Sequence, residues 1–168
     1  MKCLIIDDNP DDRSVVERLL TRSGYQFTAA GSGRDALALL NKETFDVVLV
    51  DLGMPDMSGA ETLAALRQHD PSLRLLVVSG FEDRRHVLEA FRSGADGYIV
   101  RHEVGDRLVT ALQEVMAGKS PMSARVSHIL LSSFRSSQPQ IAIRVEKPVT
   151  AGRLADASGQ IDLPKPKE

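Results

Sequence analysis

The chain reads as an α/β protein built on a five-stranded parallel sheet with helices on both faces, and three observations predict this. Short apolar runs at residues 2–6, 45–50, 73–78 and 97–100, with a weaker one at 26–30, have the length and the Val, Ile and Leu content of strands. Segments of helical period separate them in strict alternation. The runs are near-continuous rather than alternating, as expected where helices bury both faces of a parallel sheet. Right-handed crossovers between such strands give a doubly wound sandwich.

The first run, Lys2-Cys3-Leu4-Ile5-Ile6, ends at Asp7 and Asp8. Asn9-Pro10 follows, an N-cap side chain before a proline at the first helical position, and Val15, Val16, Leu19 and Leu20 carry the stripe of a helix that Gly24 stops. After the weak strand, Ala36, Leu37, Leu39 and Leu40 mark a second helix, and the third strand ends at Asp51. Ser58 with Glu61 three residues later fits a capping box ahead of Ala60, Leu63, Ala64 and Leu66. The fourth strand is followed by Ser79. A helix through Val87, Ala90 and Phe91 then ends at Gly94. The fifth strand is followed by Arg101 and His102, the latter read as the polar start of a helix through Leu108, Ala111, Leu112 and Val115.

Residues 118–121 break the pattern, and residues 123–135 resume a helical stripe through Val126, Ile129, Leu130 and Phe134, predicting a sixth helix. From Ser136 apolar residues thin out and Pro139, Pro148, Pro164 and Pro166 appear, a composition that does not fold alone. Within it Ile141, Ile143 and Val145 alternate with Ala142 and Arg144 in the period of a strand, suited to docking on a sheet edge. The expected division is a domain at 1–117, a linker helix at 118–135 and a flexible tail at 136–168.

At 168 residues there is room for one ordinary domain with an extension. The 42% hydrophobic and 26% charged residues place the chain among soluble globular proteins. A formal net charge of -2 implies no polyanion-binding surface. The single Cys3, set in an apolar run, reads as a buried structural thiol. The N-terminus lacks the order of a signal peptide, and no apolar stretch approaches the roughly 20 residues that span a bilayer, so a cytoplasmic protein without membrane association is expected.

In an open parallel sheet, ligands bind beyond the carboxyl ends of the strands. The polar residues that follow the apolar runs are Asp7, Asp8, Asp51, Ser79 and Arg101, and all five should face one crevice. Singly, each has an ordinary explanation: an Asp-Asp pair suits a helix N-terminus, and Asp51 could shape a turn. Together, carboxylate, carboxylate, hydroxyl and cation on one sheet edge describe a site. Converging carboxylates repel one another unless a cation neutralises them, and hard oxygen ligands select Mg²⁺, for which two carboxylates and a carbonyl suffice.

Leu4-Ile5-Ile6-Asp7-Asp8, Val48-Leu49-Val50-Asp51-Leu52-Gly53-Met54-Pro55-Asp56-Met57-Ser58-Gly59, Val77-Val78-Ser79-Gly80 and Gly94-Ala95-Asp96-Gly97-Tyr98-Ile99-Val100 resemble the receiver domain of bacterial two-component response regulators of the NarL/FixJ type, over roughly residues 1 to 117. The resemblance implies a flavodoxin-like (βα)5 fold with strand order 2-1-3-4-5, and phosphorylation of Asp51 by a histidine kinase. It makes Asp8, Asp51 and the Gly53 carbonyl direct Mg²⁺ ligands and Asp7 a ligand through water. Ser79 would bond a phosphoryl oxygen, and Tyr98 would turn inward as Ser79 moves. In this family such a domain catalyses its own phosphorylation and dephosphorylation, and the partners implied are the kinase, an output protein and a phosphorylation-dependent second copy. Taken without the family's switch, Tyr98 would be a half-buried strand aromatic with its hydroxyl in water.

Two departures qualify the resemblance. The family places Lys where this chain has Arg101, whose fork is wider and stiffer than an ammonium. Residues 118–135 resemble the joint that leads into a helix-turn-helix domain, yet residues 138–168 show neither paired helical stripes nor a basic face, so DNA binding is not expected. The leading expectation is a phosphoacceptor that signals through protein contacts. The alternatives are a receiver-like module that works without phosphorylation and a DNA-binding regulator lacking its output domain.

Overall fold

The computed structural model describes residues 1–137. Five strands, β1 (Lys2–Ile6), β2 (Gln26–Ala30), β3 (Val47–Val50), β4 (Arg74–Ser79) and β5 (Gly97–Val100), form one parallel sheet in the order β2-β1-β3-β4-β5. Between them run α1 (Pro10–Arg22), α2 (Gly33–Leu40), α3 (Gly59–His69) and α4 (Arg84–Arg92), and after β5 come α5 (Val104–Met116) and α6 (Ala124–Ser137). The alternation, the strand order and the sixth helix are those expected from the sequence. The Ile141 to Val145 alternation lies outside the described residues.

The strands bury both faces because their odd and even residues enter different cores. Leu4, Ile6, Val48, Val50, Leu75, Val77, Tyr98 and Val100 pack with Ala36 of α2, Leu63 and Leu66 of α3, and Val87 and Ala90 of α4. Cys3, Ile5, Val47, Leu49, Leu76, Val78 and Ile99 pack with Val16 and Leu20 of α1 and with Leu108, Ala111, Leu112 and Val115 of α5. Each fully buried aliphatic side chain contributes about 1.5–3 kcal/mol over its exposed state, so a one-residue slip of a central strand would send each row into the opposite core and mispack both.

Local chemistry fixes the helix starts. Asn9 caps α1 by accepting from the Asp11 amide with Pro10 at the first helical position, and Ser58 and Glu61 form a capping box at α3. Several boundaries differ from the sequence reading. β3 begins at Val47, after Asp46 has spent its amide on the Lys2 carbonyl. Ser79 is the last residue of β4, paired with Val100, rather than the first residue after it. Residues Arg101–Glu103 form a 3-10 turn, so α5 starts at Val104 and His102 stands outside it.

The break at residues 118–121 is also more than a loop. Gly118 turns the chain with φ of 77°, and the chain then runs back along the free edge of β5. Tyr98 donates its amide to the Pro121 carbonyl at 2.9 Å and accepts from the Ser123 amide at 3.1 Å. A Cβ on Gly97 would stand 2.8 Å from Pro121, so this close approach needs glycine. The strap covers the edge of the sheet, and α6 packs on α4, with Val126 in the core.

At the opposite end of the strands Arg67 of α3 ties loops together. Its guanidinium donates to the carbonyls of Pro71, Leu73 and Gly94 and to Asp96 Oδ2, which also accepts from the Leu75 amide.

Candidate functional site

The register of the sheet brings the predicted residues together. Ile6 pairs with Val50, so Asp7 and Asp51 leave neighbouring strands at the same level, and the Asp51 amide still donates to the Ile6 carbonyl at 2.9 Å. Asp7 and Asp51 are buried and Asp8 is exposed. Each of the three offers a carboxylate oxygen, and these lie within 4.8 Å of one another. Oxygen donors alone, one of them open to solvent, make a set suited to a hard divalent cation.

Backbone amides hold two of the carboxylates. Asp7 Oδ1 accepts from the Asn9 amide at 2.9 Å, and Asp51 Oδ2 accepts from the Gly53 amide at 3.1 Å. A side chain at Gly53 would press on Asp51 Oδ2 at 3.1 Å and on the Phe81 ring at 3.7 Å. Arg101, directly after β5, reaches across: Nη2 stands 2.8 Å from Asp51 Oδ1, and Nη1 stands 3.1 Å from Asp7 Oδ2 and 2.9 Å from Asp12 Oδ2.

Three carboxylates thus contact one guanidinium, and the exposed Asp8 stands beside two of them. Burial raises the pKa of Asp7, with Asp51 adding to the rise, against the lowering effect of the Asn9 amide and Arg101. Burial alone would lower the pKa of Arg101, but Asp51, Asp7 and Asp12 together outweigh it and leave it raised. The carboxylates outnumber the guanidinium, so a bound divalent cation would relieve their mutual repulsion.

Ser79 is fully buried at the end of β4, its Oγ accepting from the Phe81 amide at 3.4 Å. Tyr98 is 0% exposed, and its hydroxyl donates to the Phe81 carbonyl at 2.6 Å. Its ring is turned inward, not half-buried with the hydroxyl in water, because the apolar pocket beside Phe91 accepts the ring while Phe81 satisfies the hydroxyl. Burial pushes the pKa of that phenol up, and it stays protonated. The loop between β4 and α4 is thereby held from both sides, and the His86 ring stacks on Phe81 at 4.1 Å.

A family model described as the response regulator receiver domain matches residues 3–113. The chain belongs to the response regulator receiver family. It is 33% identical over 138 residues to the nitrate/nitrite response regulator NarL of Escherichia coli, covering 80% of this chain and 63% of NarL. It is 31% identical over 137 residues to the transcriptional regulator DegU of Brevibacillus brevis, covering 80% and 58%. The receiver chain therefore spans under two thirds of the length of these relatives. Among solved structures, a LuxR-family response regulator from Aurantimonas has a TM-score of 0.74 at 29% identity, covering 80% of this chain and 97% of that one. The regulator TrrA of Thermotoga maritima, solved with Mg²⁺ and BeF, has a TM-score of 0.62 at 25% identity, covering 68% and 97%.

Set beside the sequence reading of this receiver, Asp7, Asp8, Asp51 and Arg101 stand in one cluster, Gly53 stands beside it through its amide, and Ser79 and Tyr98 stand on the adjoining strands. Asp12 is the residue the sequence did not point to. It sits in the first turn of α1, where an acidic side chain is ordinary, and only the reach of Arg101 from β5 reveals its partner.

Proposed function

We propose that this receiver accepts a phosphoryl group on Asp51 from the phosphoimidazole of a histidine kinase, with Mg²⁺, and passes the signal on through protein contacts. One observation carries the reading: a buried aspartate at the end of the central strand, beside two carboxylates that can hold a cation and under a guanidinium.

Asp51 would be the nucleophile. An oxygen of its carboxylate forms the new O–P bond as the N–P bond of the donor breaks, and the leaving imidazole takes up a proton. Asp8, Asp51 and the Gly53 carbonyl would hold Mg²⁺, with Asp7 engaged through water, and the ion would neutralise charge on the phosphoryl oxygens. The Gly53 amide fixes the orientation of the Asp51 carboxylate. Arg101 lies on Asp51 with N–H groups that suit a phosphoryl oxygen, and Ser79 brings a hydroxyl from β4. The same residues would support return of the phosphoryl group to water. The domain division at 1–117, 118–135 and 136–168 and a cytoplasmic setting belong to this reading. The relative DegU is a transcriptional regulatory protein, which makes transcriptional control one use to which such a receiver could be put. Among the described residues, no helix is long and apolar enough to cross a membrane.

A phosphate-affinity gel after incubation with a small phosphodonor and Mg²⁺ tests the proposal. Wild type should show a shifted band that Asp51→Ala abolishes; no shift in wild type, or an equal shift in the variant, would refute it.

A second reading has its own observation. Tyr98 is already inward and Arg101 already paired with Asp51, an arrangement that suits a module whose output face is set without phosphorylation. If Arg101→Lys leaves both phosphorylation and partner binding unchanged, this second reading fails.

A further inference from the structure

Arg101 poses a geometric problem that a lysine would not. An ammonium is a point charge that needs only to reach Asp51, whereas a guanidinium is a rigid plane whose two terminal nitrogens must both find partners. In this receiver the two nitrogens are divided. Nη2 serves Asp51 Oδ1 at 2.8 Å, while Nη1 lies between Asp7 Oδ2 at 3.1 Å and Asp12 Oδ2 at 2.9 Å. The Arg101 side chain is 26% exposed and that of Asp12 is 36% exposed, so the pair closes one side of the pocket from the solvent edge.

Asp12 is well placed to hold rather than to react. The Asn9 cap and Pro10 set the first turn of α1, in which Asp12 lies at the positive end of the helix dipole. The neighbouring Arg13 is engaged elsewhere, with Nη1 on the Asp7 carbonyl and Nε facing Glu17, so it does not draw Asp12 away from Arg101. Among the described residues, Asp12 is outside the cluster of three carboxylates able to share a cation. Without it, Nη1 would rest on Asp7 alone, a carboxylate that the proposed Mg²⁺ site also uses. The guanidinium would then be free to turn, taking both nitrogens to Asp7 or both to Asp51.

We propose that Asp12 is a positioning residue of the phosphoacceptor pocket, holding Nη1 of Arg101 so that Nη2 stays on Asp51 and Asp7 stays available to the cation. The assignment rests on the phosphoacceptor reading of Asp51. It opposes what charge alone predicts: removing one of four carboxylates makes the pocket less repulsive to an anionic phosphodonor, so a purely electrostatic Asp12 would slow the reaction and its removal would speed it.

The test is a double-mutant cycle with a small phosphodonor and Mg²⁺, read as maximal rate and half-saturating donor concentration, together with NMR of the Arg101 Nη signals in metal-free protein. Asp12→Ala should lower the maximal rate by about tenfold with half-saturation little changed, Asp12→Glu should restore most of the loss, and in an Arg101→Lys background Asp12→Ala should change the rate less than about twofold. The two Nη signals of Arg101 should be distinct in wild type and merge in Asp12→Ala. A faster Asp12→Ala variant, an equal loss in both backgrounds, or Nη signals indifferent to Asp12 would overturn the proposal. Wild type that takes no phosphate while its Nη signals still depend on Asp12 would refute the phosphoacceptor reading and uphold the hold of Asp12 on Arg101.

Discussion

Ser123→Ala should destabilise the fold by more than its single oxygen suggests, because Ser123 Oγ serves two groups. It accepts from the Val100 amide at 3.0 Å and donates to Glu103 Oε2 at 2.6 Å. Val100 is 1% exposed, so its N–H would be left buried without a partner, a loss of about 1–3 kcal/mol. The bond to Glu103 adds about 1 kcal/mol once discounted for its partial exposure. The sum is about 3 kcal/mol. With a urea slope of about 2 kcal/mol per M for a domain of this size, the midpoint should fall by about 1.5 M.

Urea unfolding followed by circular dichroism measures this, with Ser127→Ala as control. The Ser127 hydroxyl donates to the Ser123 carbonyl at 3.3 Å, an acceptor already served by the Ser127 amide, and its loss should cost under about 0.5 kcal/mol. Hydrogen exchange localises the effect: the Tyr98 and Ser123 amides, which join the strap to β5, should lose protection before the amides shared by β1 and β3. A midpoint shift below about 0.3 M, or equal loss of protection across the sheet, would refute the reasoning that Ser123 fastens the strap.

Arg67→Met removes a guanidinium that holds three carbonyls and Asp96; thermal melts should show a loss of about 3 kcal/mol, with phosphorylation of Asp51 within about twofold of wild type because the clamp lies at the other end of the strands. Burial pushes the Cys3 thiol up from 9.0 to about 11, so a disulfide-exchange reagent at pH 8 should label it only as fast as the protein opens. The raised thiol pKa also sets a sign: its stabilising contribution is complete below 9.0 and is lost as pH rises through about 11, so wild type should fall by about 2 kcal/mol relative to Cys3→Ala over that window in denaturant titrations. Tyr98→Phe removes the hydroxyl that donates to the Phe81 carbonyl, a part-buried bond, and should cost about 1 kcal/mol by urea midpoint.

The sheet was legible because its evidence is repetitive: five apolar runs, four of them followed directly by polar residues, and helix starts written in Asn9-Pro10 and Ser58 with Glu61. The places of Asp7, Asp8 and Asp51 follow from strand ends and parallel register, which need no knowledge of rotamers. What the sequence could not carry depends on long side chains choosing among partners far apart in the chain. Asp12 has the look of an ordinary helix-start charge until Arg101 reaches it. Arg67 and Asp96 are separated by 29 residues, and Arg67 belongs to no quoted motif. The strap was read as a break because Pro121-Met122-Ser123 lacks the pattern of a strand, and it pairs through Tyr98 alone.

That single pairing changes what the inward Tyr98 means. Its amide and carbonyl are both spent on the strap, while Val77 on the neighbouring strand pairs with it from the other side. Its backbone is therefore fixed along both edges, and any outward turn of the ring must come from side-chain rotation alone, at the expense of the Phe81 bond. Arg101 stands in the same stretch, between Val100 and Glu103, the two residues that Ser123 holds. The Arg101 guanidinium, the buried phenol and the strap leading into α6 thus meet around one short run of chain. If Asp51 is phosphorylated as proposed, a shift of Arg101 toward the phosphoryl group would load the Glu103 and Val100 bonds of Ser123 and so reach α6 without requiring Tyr98 to move.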